Sequence, residues 1–147
     1  MDITAAKSTI TKDHGNIELC HKVLDYSAIF RQVVEKAKLP GFSEAEWAPL
    51  AELVAVSKFK RVGSFLEVMN WSEYTGFVTQ FAKASSWEGT FRRIHEHARV
   101  VYLELTERCT MGERVDVVNS LTVYAFNSAG KISHLDVYLQ RKLEAGQ

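Results

Sequence analysis

Cysteine, unbalanced charge and long apolar runs are scarce or absent in this sequence. Its two cysteines, Cys20 and Cys109, lie far apart and match no metal-ligand spacing, so we expect free thiols in a reducing compartment, with a disulfide as the alternative. The 18 basic and 18 acidic side chains balance, which argues against binding to nucleic-acid phosphates or to an anionic membrane. No stretch reaches the roughly 18 apolar residues of a membrane span, and the N-terminus lacks the apolar core of a signal peptide. We therefore expect a soluble, cytoplasmic protein.

Sequence motifs for cofactors, metals and activated nucleophiles are missing as well. There is no glycine-rich phosphate loop and no Gly-x-Ser-x-Gly pattern around a serine. His95 and His97 would share one face of a strand, but they lack an obvious third metal ligand, and an exposed strand face is the simpler interpretation. We expect neither a metal nor a cofactor.

The chain does contain enough apolar surface for one hydrophobic core. Its 147 residues are 46% hydrophobic, which suits a single domain. The polar residues 1–15 are typical of a flexible N-terminal lead-in, so we place the domain at residues 16–147.

Two helices are predicted in the first third of the chain. Apolar residues recur at intervals of three and four over about residues 16–38, with Asn16 as a candidate cap. Ser43 and Glu46 have the spacing of a capping box, which predicts a second helix from there. Pro49 marks an alternative start, because proline is tolerated only in the first turn of a helix.

A third helix, over about residues 71–83, carries an aromatic stripe. Asn70 and Glu73 again have the spacing of a capping box. Such a stripe more often packs in a core than lines a ligand pocket, and both interpretations stay open. The stripe includes the aromatic residues Trp71, Tyr74 and Phe77.

The second half of the chain alternates with the period of two that is typical of strands. After a short strand within about residues 56–62, the long strands are predicted near 90–97, 99–109, 115–127 and 131–141. The last two flank a glycine-containing turn at residues 127–130, which predicts a β-hairpin. Helices followed by strands indicate an α+β fold, with a curved, mainly antiparallel sheet wrapped around three N-terminal helices.

This order of elements resembles the nuclear transport factor 2-like superfamily, whose fold is a cystatin-like cone. The hairpin Phe126–Ile132 is similar to one common there, and His134-Leu135-Asp136-Val137 resembles a segment of the SnoaL-like polyketide cyclases in which the aspartate is the catalytic acid or base. The resemblance covers about residues 17–141. It implies a cofactor-free enzyme for a small apolar polyketide-, terpenoid- or steroid-like molecule, and a homodimer that associates through the sheet.

One face of the last predicted strand carries the candidate catalytic side chains. Asp136 is the predicted acid or base, and His134 and Tyr138 would polarise a carbonyl group. Glu104 could add a second carboxylate from a neighbouring strand. The predicted substrate contacts are Trp71, Tyr74, Phe77, Tyr102 and Asn119.

Three hypotheses follow from these residues. The first is acid–base catalysis of cyclisation, isomerisation or elimination. The second is hydrolysis of an epoxide, as in the limonene epoxide hydrolases, with Asp136 and Glu104 around one water molecule. In the third, the polar face is the outer side of the sheet and the protein is a non-catalytic small-molecule-binding or dimerisation module. The direction in which Asp136 points distinguishes the first two hypotheses from the third.

Overall fold

The computed structural model describes residues 1–8 and 17–143. The helices within these residues are α1 (Glu18–Lys36), α2 (Ala48–Ala51) and α3 (Trp71–Ala84). The strands are β1 (Lys60–Val62), β2 (Val68–Met69), β3 (Ser86–His97), β4 (Val100–Met111), β5 (Arg114–Phe126) and β6 (Ile132–Gln140). No helix in this part of the chain combines the length and the apolarity needed to cross a membrane.

The six strands form one mixed sheet in the order β2-β1-β6-β5-β4-β3. Successive strands from β3 to β6 pair antiparallel, as do β1 and β2, whereas β1 runs parallel to β6. The hairpin of β5 and β6 turns at Gly130, whose φ of 75° is a conformation that glycine adopts without strain. The predicted α+β class is confirmed, with three helices and a mainly antiparallel sheet.

The two predicted capping boxes have different outcomes. At α3, Asn70 Oδ1 accepts a hydrogen bond from Glu73 N at 2.8 Å, and Glu73 Oε1 accepts one from Asn70 N at 3.0 Å, so this box is confirmed. The box at Ser43 is wrong, because Ser43 makes no capping hydrogen bond with its side chain. A short 3₁₀ helix comes first, and α2 begins beside Pro49, where a missing backbone N–H costs nothing. The predicted cap Asn16 lies outside the described residues.

The first eight residues differ from the expected lead-in. Residues Ile3–Ser8 form a 3₁₀ helix, and the side chain of Ile3 is only 1% exposed. The carbonyl oxygen of Met1 accepts a hydrogen bond from Phe91 N at 2.7 Å, which ties this segment to the edge strand β3. Residues 9–15 of the expected lead-in lie outside the described part of the chain.

The hydrophobic core lies between the helices and one face of the sheet. Val23 and Leu24 of α1 are buried, as are Leu103 of β4 and Leu135 of β6. An aromatic cluster continues this core. Its members are Phe30, Trp47, Phe59, Trp71 and Tyr74. The core therefore fixes which sheet face meets the helices.

Candidate functional site

The two faces of the sheet differ in what they contact. We call the face toward the helices the inner face. It contains Val101, Tyr124 and Leu135, which are cross-strand neighbours and are buried. The opposite, outer face contains Tyr102 and Asp136, which lie one residue further along the same strands. Because side chains alternate along a strand, this register decides the face of the sheet residues away from the two bulges, at Phe91/Arg93 and at Ala125/Phe126.

A cavity of about 530 Å³ lies between α1, α3 and the inner face. This volume is in the range of small-molecule binding sites, which is about 300–1,000 Å³. Most of the lining is apolar, and it includes leucine and valine side chains of β4, β5 and β6. We call the part of the cavity that is lined by the buried Tyr26, Tyr74 and Tyr124 its closed end, and the half-buried Arg61 and Glu107 line the cavity as well.

Glu107 is the carboxylate on the inner face of β4. It follows Leu105 on that face, and its Oε1 accepts a hydrogen bond from Trp87 Nε1 at 2.7 Å. Gly89 lies opposite Glu107 in the neighbouring strand, and a Cβ atom at that position would be 2.9 Å from the Trp87 ring. Because Gly89 has no side chain, the Trp87 ring can lie beside it and donate its hydrogen bond to Glu107. This hydrogen bond uses one of the two carboxylate oxygens.

Three tyrosines surround the same end of the cavity. Burial raises the pKa of Tyr26, Tyr74 and Tyr124, and the negative charge of Glu107 adds to the rise at Tyr74 and Tyr124. The positive charge of Arg61 opposes the rise at Tyr26 and Tyr74. All three phenols are therefore protonated at neutral pH, and each can donate a hydrogen bond.

The environment of two of these groups is specific. The Arg61 guanidinium lies over the ring of Tyr74, at 5.1 Å from its centroid, and also lies 3.7 Å from Glu67 Oε1. The Tyr26 hydroxyl is closed to solvent. The hydroxyl of Tyr74 is its polar neighbour, and the hydrogen bond between the two phenols helps to raise the pKa of Tyr26.

The open end of the cavity has a different lining. Phe77 and Phe81 of α3 stack there with ring centroids 6.1 Å apart, and both are partly exposed. Arg141 pairs with Asp116 across the ends of β6 and β5, and Arg114 stands close by. This rim is exposed, whereas the three tyrosines of the closed end are buried.

The residues predicted as catalytic lie on the outer face. His134 Nε2 is 3.0 Å from Asp136 Oδ1, so these two are brought together, and Tyr138 beside them is 57% exposed. None of the three lines the large cavity. Asp136 and Tyr138 instead border a smaller recess, of about 250 Å³, beside the loop between β1 and β2.

The other predicted site residues divide between the two faces and the core. Glu104 is on the outer face, bound to Arg93 Nε at 2.6 Å, and β5 separates it from Asp136. Tyr102 and Asn119 are on the outer face as well. Trp71 packs in the core without lining the cavity, whereas Tyr74 and Phe77 do line it. Within the described residues, no group of three or more potential ligands is placed to hold a metal ion.

Glu107 is not in the set of catalytic residues predicted above, although the sequence carries a signal for it. The series Leu103, Leu105, Glu107 alternates on one face, so a charged residue continues an apolar stripe. A carboxylate in that position lies on the buried side of the strand, which is unusual unless it has a partner or a function. Tyr26 on α1 and Tyr124 on β5 carry no comparable signal, because a tyrosine among apolar residues is ordinary core.

Comparison with known proteins identifies the fold. No protein-family model and no curated protein matches the chain. Among solved structures, an NTF2-like protein from Anabaena variabilis matches with a TM-score of 0.63 at 12% identity, over 90% of this chain and 95% of that one. An NTF2-like protein of unknown function from Exiguobacterium sp. 255-15 matches with a TM-score of 0.61 at 11% identity, over 80% and 99%.

Other matches carry names that refer to enzymes. A Jannaschia protein assigned to the SnoaL-like polyketide cyclases has a TM-score of 0.57 at 8% identity, over 76% of this chain and 85% of that one. Further structures with this fold are described as an LEH-like epoxide hydrolase from M. tuberculosis and, by assignment, a ketosteroid isomerase from Kribbella flavida. At such identities the likeness shows the fold alone. The chain has the nuclear transport factor 2-like, or cystatin-like, fold.

Proposed function

We propose that this protein is a cofactor-independent enzyme that moves a proton on a small apolar carbonyl compound bound in the large cavity. One observation carries the proposal. A carboxylate held by an indole N–H and three protonated tyrosines line the same, mainly apolar cavity. A base and a set of hydrogen-bond donors in one water-poor site are what enolisation requires.

Glu107 is the proposed general base in this reaction. It removes a proton from the carbon next to the carbonyl group, so that the electron pair of that C–H bond forms the carbon–carbon double bond of the enolate and the π pair of the carbonyl group moves onto its oxygen. Tyr74 and Tyr124 donate hydrogen bonds to the developing enolate, and Tyr26 and Arg61 support them. Because these donors are already oriented, little reorganisation is needed as the charge forms.

The fate of the enolate defines the reaction class. Return of the proton to another carbon gives isomerisation, loss of a neighbouring group gives elimination, and attack on a second carbonyl group gives cyclisation. The size and apolar lining of the cavity favour a polyketide-, terpenoid- or steroid-like molecule. Names assigned to structures with the same fold, a polyketide cyclase and a ketosteroid isomerase, fall in the same range of chemistry.

This assignment moves the proposed base from Asp136 to Glu107. A base must reach the proton that it removes, and Asp136 lies on the other side of the sheet from the large cavity. The cavity is also favoured over the epoxide-hydrolase pair, because Glu104 and Asp136 lie outside it, on two strands with β5 between them.

The proposal can be tested without knowledge of the natural substrate. A panel of apolar ketones is first screened by thermal shift, since a ligand at about one hundred times its dissociation constant adds roughly 2.7 kcal/mol of stability. Ligands that bind are then incubated with the protein in D₂O, and deuterium incorporation next to the carbonyl is followed by NMR. We expect protein-dependent incorporation that weakens in Tyr74→Phe. Ligands that bind without any exchange would refute enolisation and leave a binding protein.

A further inference from the structure

The indole of Trp87 lies along the inner face of β3 and does not stop at its own cross-strand neighbour. In the register of β3 and β4, Trp87 lies opposite Cys109, and Gly89 lies opposite Glu107. The indole Nε1 nevertheless donates its hydrogen bond to Glu107 Oε1, so the ring reaches diagonally across the two strands. It does so by lying over Gly89, where a Cβ atom would be 2.9 Å from two of its ring carbons.

Packing holds the indole in this orientation. The ring of Phe30 on α1 meets it edge-on, with ring centroids 6.2 Å apart and an interplanar angle of 77°. The buried Ile3 closes the space beside Gly89, because its Cγ2 would be 3.4 Å from a Cβ atom at that position. The indole is therefore fixed by its neighbours as well as by its hydrogen bond.

Phe30 also connects the indole to two of the three tyrosines. Its ring stacks with Tyr26 at 6.2 Å and with Tyr74 at 6.3 Å, at interplanar angles of 25° and 19°. One ring of α1 thus contacts the group that holds the carboxylate and two groups that would bind the carbonyl oxygen. Because close-packed side chains shift little relative to one another, this contact keeps the base and the donors at a constant separation.

The orientation of the Glu107 carboxylate depends on this one anchor. Among the residues that the structure describes, Trp87 is the one group that donates a hydrogen bond to it. A glutamate side chain has several rotatable bonds, so a carboxylate without an anchor moves among several rotamers. A general base must bring its accepting oxygen to within about 2.6–3.2 Å of the atom that bears the proton.

We propose that Trp87 is a positioning residue that decides which oxygen of Glu107 takes the proton. Its indole N–H occupies Oε1 and leaves Oε2 to accept the proton from the carbon next to the carbonyl group. Gly89 and Phe30 hold the indole in the orientation that this requires. The inference rests on the proposed function of the cavity, and it adds the side chain that orients the base.

The test compares two indoles that pack against the same ring. Trp87→Phe removes the N–H donor and keeps an aromatic side chain. Trp47→Phe is the matched control, because Trp47 also contacts Phe30, at 6.1 Å, and also donates one hydrogen bond from Nε1, to Thr79 Oγ1 at 3.1 Å, but does not line the cavity. Deuterium exchange next to the carbonyl of 2-tetralone is measured at saturating ketone, and its dissociation constant is measured by calorimetry.

We expect Trp87→Phe to slow the saturated exchange by roughly tenfold to a hundredfold, since a small displacement of a catalytic group can cost about that much. The dissociation constant should stay within about threefold, because the lost interaction acts on the proton transfer and not on binding. Trp47→Phe should exchange within about twofold of the wild-type rate. In a Glu107→Gln background, Trp87→Phe should cause no further loss, because a residue that acts only through Glu107 has no base left to orient.

Gly89→Ala is a second variant that leaves the indole itself intact. The added Cβ atom displaces the ring from its hydrogen bond, so this variant should slow exchange as well. If melting temperatures show that Trp87→Phe does not fold, Gly89→Ala decides, and exchange by it at the wild-type rate would overturn the inference.

The contrary outcomes separate this inference from the proposed function. Exchange by Trp87→Phe at or above the wild-type rate, a loss of the same size in Trp47→Phe, or an undiminished loss in the Glu107→Gln background would each overturn the inference and leave proton transfer in the cavity intact. A wild-type protein that does not speed exchange of 2-tetralone above the rate in buffer would overturn the proposed function, and this inference with it.

Discussion

The side chains of α3 divide between core and cavity, and a pair of alanine variants measures that division. Trp71 at the start of the helix is 7% exposed and does not line the cavity. Phe77, nearly two turns later, is 49% exposed and forms part of the rim. Trp71→Ala should therefore lower the stability more than Phe77→Ala does, and Phe77→Ala should weaken ligand binding more than Trp71→Ala does.

The expected magnitudes follow from the contacts of each ring. Trp71 makes edge contacts with Phe59 and Trp47, at ring-centroid distances of 5.1 and 6.5 Å. Truncation of a buried ring costs about 3–5 kcal/mol, and each kcal/mol lowers the melting temperature of a chain of this size by about 2–4 °C. Trp71→Ala should lower it by roughly 10–15 °C. Phe77→Ala loses a half-exposed ring, so we expect about 1–2 kcal/mol.

Differential scanning calorimetry measures the stabilities, and calorimetric titration of a ketone ligand measures binding at a temperature where both variants are folded. Phe77→Ala should weaken binding more than Trp71→Ala does. A melting temperature for Trp71→Ala within about 3 °C of the wild-type value would mean that its ring contributes less than about 1 kcal/mol, which would refute the packing described above.

Three further predictions concern the tyrosines and the outer face. Tyr26→Phe removes a buried hydroxyl that hydrogen-bonds with Tyr74, so it should lower the free energy of unfolding by about 1 kcal/mol in denaturant titrations, and an unchanged or higher value would mean that the hydroxyl has no partner. Burial raises the pKa of Tyr26, Tyr74 and Tyr124, so the folded state keeps their protons at pH values where the unfolded state releases them. The free energy of unfolding should therefore fall as the pH rises above about 10, the pKa of a tyrosine in the unfolded chain. Phenolate absorbance should then show that three of the five tyrosines ionise only on unfolding, whereas ionisation of all five before unfolding would contradict their burial. Finally, we expect a homodimer that associates through the outer face, because Tyr102, Val117 and Tyr138 expose apolar surface there. Sedimentation at micromolar concentration should give twice the mass of the chain, and Val117→Lys should give a monomer. A wild-type monomer would count against it.

The sheet was predictable because its strands are long and alternate strictly. The four long strands differ from their predicted bounds by at most four residues, and the turn at Gly130 has the conformation that its glycine indicated. The two-residue strand β2 was not predicted, since so short a segment has no measurable period. For the same reason, the burial of Ile3 in a six-residue 3₁₀ helix left no pattern to detect.

The site was less predictable, because its members come from separate elements. Alternation along β6 correctly divides Leu135 from Asp136, but it does not say which face encloses a cavity. Resemblance to a cyclase segment placed the candidate base on the polar face. The polar groups of the cavity come instead from α1, α3, β1, β4 and β5, and only folding brings Tyr26, Arg61 and Glu107 together. Spacing within one strand cannot report a site assembled in this way.

The two candidate bases can be compared directly by deuterium exchange on a bound ketone. Glu107→Gln keeps the shape of the side chain and removes its ability to take a proton, and Asp136→Asn does the same on the outer face. General base catalysis typically contributes about a hundredfold to ten-thousandfold, so Glu107→Gln should lose at least about a hundredfold in exchange rate while still binding the ketone. Asp136→Asn should exchange at the wild-type rate. The opposite result, in which Glu107→Gln stays active and Asp136→Asn does not, would place catalysis on the outer face and contradict the account of the cavity.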